Sequence, residues 1–134
     1  MTAGTKKEGN YNVILAEDNA LHQRLVREFL KKFDINLSIV NNGKELLERL
    51  AENRIYDLVL LDIQMPIMDG YAVTEAIRKN PKYKDLIIVG LTAFAMEGDE
   101  RYAMIKGMND YITKPFSQDT LVKTLSRYLV LRKL

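Results

Sequence analysis

The sequence predicts an α/β domain in which a parallel sheet lies between two layers of helices. Short apolar runs alternate with amphipathic stretches five times along the chain, as in successive βα units. The runs are apolar throughout rather than at alternate positions, as strands covered on both faces require. We therefore expect a three-layer (βα)5 sandwich with right-handed crossovers.

Each apolar run predicts a strand, and apolar residues at helical spacing predict the helix that follows it. The strands are expected at 13–16, 37–40, 58–61, 86–91 and 111–113. The helices are expected around 21–33, 46–50, 73–77, 96–108 and 118–130. Asn80-Pro81 should stop the third helix and Gly107 should end the fourth, while Ser117 is a candidate N-cap for the fifth.

Composition excludes several functions. With 134 residues the chain suits one domain, and its net charge of +2 is too balanced to indicate nucleic-acid binding. The absence of cysteine excludes disulfides and thiolate metal sites and fits a cytoplasmic location, and a single histidine cannot build a His-rich zinc site.

No membrane-spanning segment or signal peptide is predicted. The longest apolar stretch, 86–96, is interrupted by Gly90 and Thr92 and is shorter than the ~20 residues that a spanning helix needs. Residues 1–10 are polar, without the apolar core of a signal peptide, and we expect them to be a flexible tail or linker. The folded domain is therefore expected to occupy 11–134.

Polar residues follow all five predicted strands, and those after the second, Asn41 and Asn42, are interpreted as turn residues. Glu17 and Asp18 follow the first strand, Asp62 the third, Thr92 the fourth and Lys114 the fifth. In open parallel sheets ligands bind beyond the carboxyl ends of the strands, so these side chains should share one rim. Three close carboxylates need a neutralising cation, and Mg²⁺ suits carboxylate and phosphate oxygens. An ammonium and a hydroxyl can bind phosphoryl oxygens, so the rim indicates phosphoryl transfer, with an aspartate as a candidate acceptor.

Four motifs resemble the receiver domain of two-component response regulators, and the resemblance covers the chain from about Tyr11 to its end. The motifs are ILAEDN at 14–19, DIQMPIMDG at 62–70, LTA at 91–93 and DYITKPF at 110–116. The family fold is flavodoxin-like with strand order 2-1-3-4-5, for which a member of this family is a reference case. The resemblance implies a signalling switch rather than an enzyme, limited to self-phosphorylation and slow autodephosphorylation.

The resemblance also implies roles for individual residues. Asp62 is the expected phosphoacceptor. Glu17, Asp18 and Asp62 would hold Mg²⁺ with the backbone carbonyl of Gln64, and Lys114 would contact the phosphoryl group. Glu17 stands where many members have aspartate, and the family varies at Gln64, which should affect the lifetime of the phosphoryl group.

Further implications concern the switch and its partners. Thr92 would be the switch hydroxyl and Tyr111 the aromatic that turns inward with it, and the Lys114-Pro115 bond is expected to be cis. The fourth helix, fifth strand and fifth helix would read out the state. The expected donor is a histidine kinase or histidine phosphotransfer domain, and phosphorylation-dependent homodimers are a further expectation. The residues at 17–19, 64–66 and 92–96 resemble those in the receivers of hybrid sensor kinases, which favours such a receiver over a free-standing regulator.

Two alternative functions remain open. A Mg²⁺-dependent phosphatase would share the nucleophilic aspartate, but such enzymes typically carry a second aspartate two residues on, where this chain has Gln64. A degenerate receiver acting only as an interaction module is disfavoured by the intact acidic pocket. His22 is interpreted as a structural or surface residue, and Asp18 or Asn19 could also cap the first helix.

Overall fold

A computed structural model describes residues 10–52, 54–93 and 96–134; of the expected tail, residues 1–9 therefore lie outside the described part. One parallel sheet of five strands has the order β2-β1-β3-β4-β5, which confirms the predicted flavodoxin-like fold. The strands are β1 Tyr11–Ala16, β2 Ile35–Val40, β3 Leu58–Asp62, β4 Ile87–Thr92 and β5 Asp110–Thr113.

In the described residues, five α-helices connect and cover the strands, and a short 3₁₀ helix, Pro81–Tyr83, precedes β4. The α-helices are α1 Ala20–Leu30, α2 Gly43–Ala51, α3 Gly70–Arg78, α4 Asp99–Lys106 and α5 Gln118–Leu125. Four of these helices have an N-cap residue whose side chain accepts hydrogen bonds from backbone N–H groups of the first turn. The four N-cap residues are Asn19, Asn42, Asp69 and Ser117. In the part of the chain that the structure describes, no helix has the length and apolarity to cross a membrane.

The apolar core has two halves, one on each face of the sheet. Ile14 and Leu15 are adjacent on β1 and fully buried, yet they belong to different halves, because successive strand side chains point to opposite faces. The half around Ile14 includes residues of α2, α3 and α4, and the half around Leu15 includes residues of α1 and α5. Burial on both faces accounts for the continuous apolar runs.

Helix α4 is shorter than the predicted range 96–108. It begins after Gly98 and ends at Gly107. The φ angles of these two glycines, +90° for Gly98 and +111° for Gly107, lie in the left-handed region that favours glycine. Before it, Met96 donates its N–H to Asp99 Oδ2 at 2.8 Å in a turn. The two glycines therefore bound the helix more tightly than the apolar spacing indicates.

Helix α5 ends at Leu125, so the predicted continuation to residue 130 was wrong. The chain turns back, and residues 130–134 run beside the segment after α1. Val130 donates its N–H to the Tyr11 hydroxyl at 3.0 Å, and the Arg132 N–H donates to Asp34 Oδ1 at 2.9 Å. In this turned conformation Leu129 is buried against the α1–α5 half of the core. An apolar residue is therefore needed at this position with either backbone path, so the sequence pattern is the same as that of a longer helix.

The Arg78 guanidinium joins α3 to the segments around α4. It donates to the carbonyls of Gly107 and Tyr83 at 2.8 Å and 2.7 Å and to Asn109 Oδ1 at 2.9 Å. Because hydrogen bonds from a charged donor contribute more than neutral ones, we expect Arg78→Met to lower the free energy of unfolding by about 2–4 kcal/mol in urea titrations. The exposed Arg127, which pairs with Asp110, is the matched control, and Arg127→Met should cost below about 1 kcal/mol. Equal losses of stability in the two variants would contradict the role of Arg78 in joining α3 to the segments around α4.

Candidate functional site

The predicted rim residues come together at the carboxyl ends of the strands. Glu17 follows β1, Asp62 ends β3 and Thr92 ends β4, and all three are almost fully buried, with exposed fractions of 1%, 3% and 2%. Asp18 lies beside them on the surface. Lys114 follows β5 and reaches the same point, so the structure places the predicted acidic, hydroxyl and ammonium groups on one rim.

The carboxylates form a compact cluster. Glu17, Asp18 and Asp62 each offer one oxygen, and these oxygens all lie within 4.8 Å of one another. Lys114 Nζ lies 2.5 Å from Glu17 Oε1 and 3.5 Å from Asp62 Oδ2, with only 12% of its side chain exposed. The single ammonium offsets only part of this negative charge.

The two buried carboxyls, Asp62 and Glu17, differ in their affinity for a proton. Burial raises the pKa of Asp62 to about 7, and its hydrogen bond to Glu17 and the Glu17 charge add to the rise, against the opposing effects of Lys114 and the Gln64 N–H. Burial would also raise the pKa of Glu17, but hydrogen bonds from Lys114 and Asp62 outweigh it and hold that pKa below its usual range. Of the two buried carboxyls, Asp62 is therefore the one that takes up a proton first as the pH falls.

The donor set fits Mg²⁺. Hard divalent cations prefer oxygen ligands, and Mg²⁺ usually keeps several waters beside one or two carboxylates. Glu17 and Asp62 offer buried oxygens while Asp18 faces solvent, which leaves one side of the cluster open to water and to a phosphoryl oxygen. A bound cation would supply the positive charge that the proton on Asp62 otherwise supplies.

Magnesium affinity should therefore depend on pH. Below about pH 7 the cation has to displace the Asp62 proton, so the apparent affinity should rise up to about tenfold per pH unit and level off above about pH 7. Isothermal titration calorimetry between about pH 5.5 and about pH 8 measures this profile. In Asp62→Asn the affinity should be weaker and its rise through this range lost. An affinity that is flat in the unmodified protein would contradict the assigned proton.

The loop after β3 folds back against Asp62. Gly70 N–H donates to the Ile63 carbonyl at 2.9 Å. A Cβ at Gly70 would lie 2.8 Å from both the Asp62 carbonyl oxygen and the Ile63 Cα, so only glycine permits this approach. The glycine of the DIQMPIMDG motif therefore fixes the loop that carries Gln64 over the rim.

Gln64 makes contacts that the sequence did not indicate. Its backbone N–H donates to Asp62 Oδ1 at 3.1 Å. Its side chain lies across the rim, where Nε2 donates to Thr92 Oγ1 at 3.1 Å and Oε1 accepts the Ala93 N–H at 3.2 Å. The backbone carbonyl expected to face a metal belongs to the same residue.

His22 lies closer to the site than predicted. Its Nδ1 is 3.0 Å from Lys114 Nζ and 3.4 Å from Glu17 Oε1, although its side chain is 39% exposed. The interpretation of His22 as a structural or surface residue is compatible with these contacts, but the sequence did not indicate that they reach Lys114 and Glu17. Asn19 caps α1, and His22 lies in the first turn of that helix, which begins just beyond the rim. That position was the signal available in the sequence.

The remaining predicted features are Tyr111, which lies on β5, and the Lys114-Pro115 peptide bond, which follows β5. Tyr111 is half-buried on β5, and burial, with the nearby Glu100 and Asp99 charges, raises the pKa of its hydroxyl. The Lys114-Pro115 peptide bond is cis.

Comparison with known proteins identifies the family. Residues 13–126 match the sequence profile of the response regulator receiver domain, so the chain belongs to that family. Receiver domains are signalling switches of two-component systems and interact with histidine kinases or phosphotransfer proteins.

Two relatives and one solved structure illustrate the similarity. The chain is 40% identical over 81% of its length to the hybrid signal transduction histidine kinase K of Dictyostelium discoideum, of which it covers 10%. It is 34% identical over 88% of its length to the polar-differentiation response regulator DivK of Brucella anthropi, of which it covers 95%. The receiver domain of a sensor histidine kinase of Pseudomonas aeruginosa superimposes with a TM-score of 0.80 at 33% identity, covering 90% of this chain and 98% of that one. That structure has a magnesium ion coordinated in its active site cleft.

The matched region is a small part of some relatives. The chain spans between 7% and 16% of the length of three histidine kinases that it matches, from Dictyostelium discoideum and Helicobacter pylori.

Proposed function

We propose that Asp62 is the phosphoacceptor of this receiver domain and takes a phosphoryl group from a phosphohistidine donor in the presence of Mg²⁺. The observation that carries the proposal is the surroundings of Asp62, a buried carboxylate with Lys114 Nζ at 3.5 Å and two further carboxylates within 4.8 Å. The domain would occupy residues 11–134, with residues 1–10 as a tail. A histidine kinase or histidine phosphotransfer domain is the proposed donor.

The transfer uses the groups on the rim. An Asp62 oxygen attacks phosphorus, the bond between phosphorus and the donor imidazole breaks, and the imidazole keeps the electron pair and takes up a proton. Lys114 lies close enough to shift from Glu17 toward a phosphoryl oxygen, because both carboxylates are already within its reach. Magnesium, when held by Glu17, Asp18, Asp62 and the Gln64 carbonyl, would neutralise charge on the phosphoryl group. The bound magnesium in the Pseudomonas relative supports this assignment.

The signal would leave through the β4–β5 side of the domain. Thr92 would move toward the phosphoryl group, Tyr111 would turn inward, and the face formed by α4, β5 and α5 would change its affinity for partners. This is a population shift biased by a local change in charge. A phosphorylation-dependent homodimer is one outcome of that shift. The cytoplasmic location stays a prediction.

The chain would dephosphorylate itself slowly without acting as a turnover enzyme. A phosphatase of related chemistry would need a proton donor for the leaving group. The residue two positions after Asp62 is Gln64, whose carboxamide cannot transfer a proton and is bound to Thr92 and Ala93. This arrangement favours a switch over a phosphatase.

The experiment is intact-mass spectrometry after incubation with acetyl phosphate. With Mg²⁺ the protein should gain the mass of one phosphoryl group, and chelation with EDTA should prevent the gain. Absence of any gain with acetyl phosphate and with a phosphorylated histidine phosphotransfer domain would contradict the proposal. Multiple turnovers on small phosphate monoesters would favour the phosphatase instead.

A further inference from the structure

The Gln64 carboxamide joins the ends of two neighbouring strands. Nε2 donates to Thr92 Oγ1 at 3.1 Å, and Oε1 accepts the Ala93 N–H at 3.2 Å. A backbone N–H can only donate, so the amide oxygen must face Ala93 and the amide nitrogen must face Thr92. Both contacts thus have one consistent orientation.

These contacts lie at the carboxyl end of β4, beside the strand that ends at Asp62. Asp62 pairs with Leu91 across the β3–β4 ladder, so Thr92, which ends β4, and Ala93, which follows it, lie immediately beyond that pair. The Gln64 backbone N–H donates to Asp62 Oδ1 at 3.1 Å, which keeps the side chain on the same rim. The Ala93 N–H and the Thr92 hydroxyl are therefore hydrogen-bonding groups at the edge of the space that a phosphoryl group on Asp62 would enter.

We propose that the Gln64 side chain is a latch that stabilises the unphosphorylated arrangement of Thr92 and Ala93. The latch rests on the proposed function of Asp62. The Ala93 N–H carries one proton and cannot serve both the Gln64 oxygen and a phosphoryl oxygen at full strength. The hydrogen bond from Nε2 holds the Thr92 oxygen at its resting position. Thr92 can therefore move only if the carboxamide moves with it or if this hydrogen bond breaks. Gln64 is thus a positioning residue that acts through its two partners.

Beryllofluoride with Mg²⁺ is the probe, because it stands in for a phosphoryl group without being hydrolysed. Gln64→Met keeps the length of the side chain and removes both polar atoms. Its affinity for beryllofluoride should be about threefold to tenfold tighter than that of the unmodified protein, since binding no longer breaks these hydrogen bonds. Amide NMR titration reads the affinity, and the Ala93 amide signal of the free variant should shift, which a general change in stability would not produce.

Gln118→Met is the matched control. Gln118 Nε2 donates to the Phe29 carbonyl at 2.9 Å, so this variant also loses a hydrogen bond from a glutamine to the backbone, but from α5 to α1. Its beryllofluoride affinity should stay that of the unmodified protein. Equal or weaker binding by a folded Gln64→Met would overturn the latch while leaving Asp62 as the acceptor. Failure of every variant and of the unmodified protein to bind beryllofluoride would overturn both proposals.

Discussion

Replacing Asp62 with asparagine is expected to abolish phosphoryl uptake and to stabilise the metal-free protein at neutral pH. An amide oxygen is too weak a nucleophile to form the acyl phosphate, so acetyl phosphate with Mg²⁺ should leave the mass of the variant unchanged. The stability gain has a separate origin. The pKa of Asp62 is about 7 in the folded protein, against an ordinary value of 3.8, so ionising this carboxyl costs folding free energy.

The sign and range of the stability effect follow from that pKa. Below its ordinary value Asp62 is protonated in both the folded and the unfolded chain, and folding gains nothing from the substitution. As pH rises from about 4 to about 7 the unfolded chain loses the proton first, so the unmodified protein loses stability. Above about pH 7 Asp62→Asn should be more stable by about 2–4 kcal/mol in urea titrations without metal.

Asp57→Asn is the matched control for this variant. Asp57 precedes β3 at the opposite end of the same strand, and its carboxylate accepts the Asn12 N–H at 2.7 Å. The control should gain one phosphoryl group like the unmodified protein and should show no stability gain at neutral pH. Phosphoryl gain by Asp62→Asn would contradict the assignment of the acceptor. A variant no more stable than the unmodified protein would contradict the assigned proton.

Replacing Lys114 with methionine is expected to slow phosphorylation of Asp62 about a hundredfold to a thousandfold, the usual cost of losing one preorganised donor to a developing charge. Methionine keeps the apolar stem but removes the ammonium that lies between Glu17 and Asp62. Glu17 then keeps its buried position without its closest cation, so the variant should also be less stable. The rate is measured by intact mass against time at saturating acetyl phosphate and Mg²⁺.

Lys106→Met controls for the loss of a lysine charge as such. Lys106 pairs with Glu75 between α4 and α3, and its substitution should change the phosphorylation rate by less than about twofold. If Lys114→Met reacted at the rate of the unmodified protein, Lys114 would have no part in phosphoryl transfer. Circular dichroism of each variant establishes that the rate is measured on folded protein.

The sequence predicted the features that repeat with the period of secondary structure. Parallel strands bring their carboxyl ends to one edge, so Asp62 and Lys114, far apart in the chain, could be placed together without coordinates. The position of His22 depended on how the first turn of α1 lies over that edge, which apolar spacing does not encode. The contacts of Gln64 depended on a side-chain conformation and on the tight turn at Gly70.

The end of α5 shows a different reason for error. Leu129 occurs at helical spacing and is buried, as a longer helix would require. Burial is also satisfied when the chain turns and pairs with the segment around Asp34, where backbone groups of Arg132 find partners. Periodicity reports which residues face the core, and two backbone paths met that condition here.

The most direct test of the central claim locates the phosphoryl group. The protein is phosphorylated with acetyl phosphate and Mg²⁺ and then treated with borohydride, which reduces the mixed anhydride of an aspartyl phosphate to the alcohol of homoserine. Fragment mass spectrometry of the digested protein should find homoserine at position 62 and unchanged aspartate at positions 18 and 57. Unmodified Asp62 in protein that has gained a phosphoryl group, or the phosphoryl group on His22, would contradict the account.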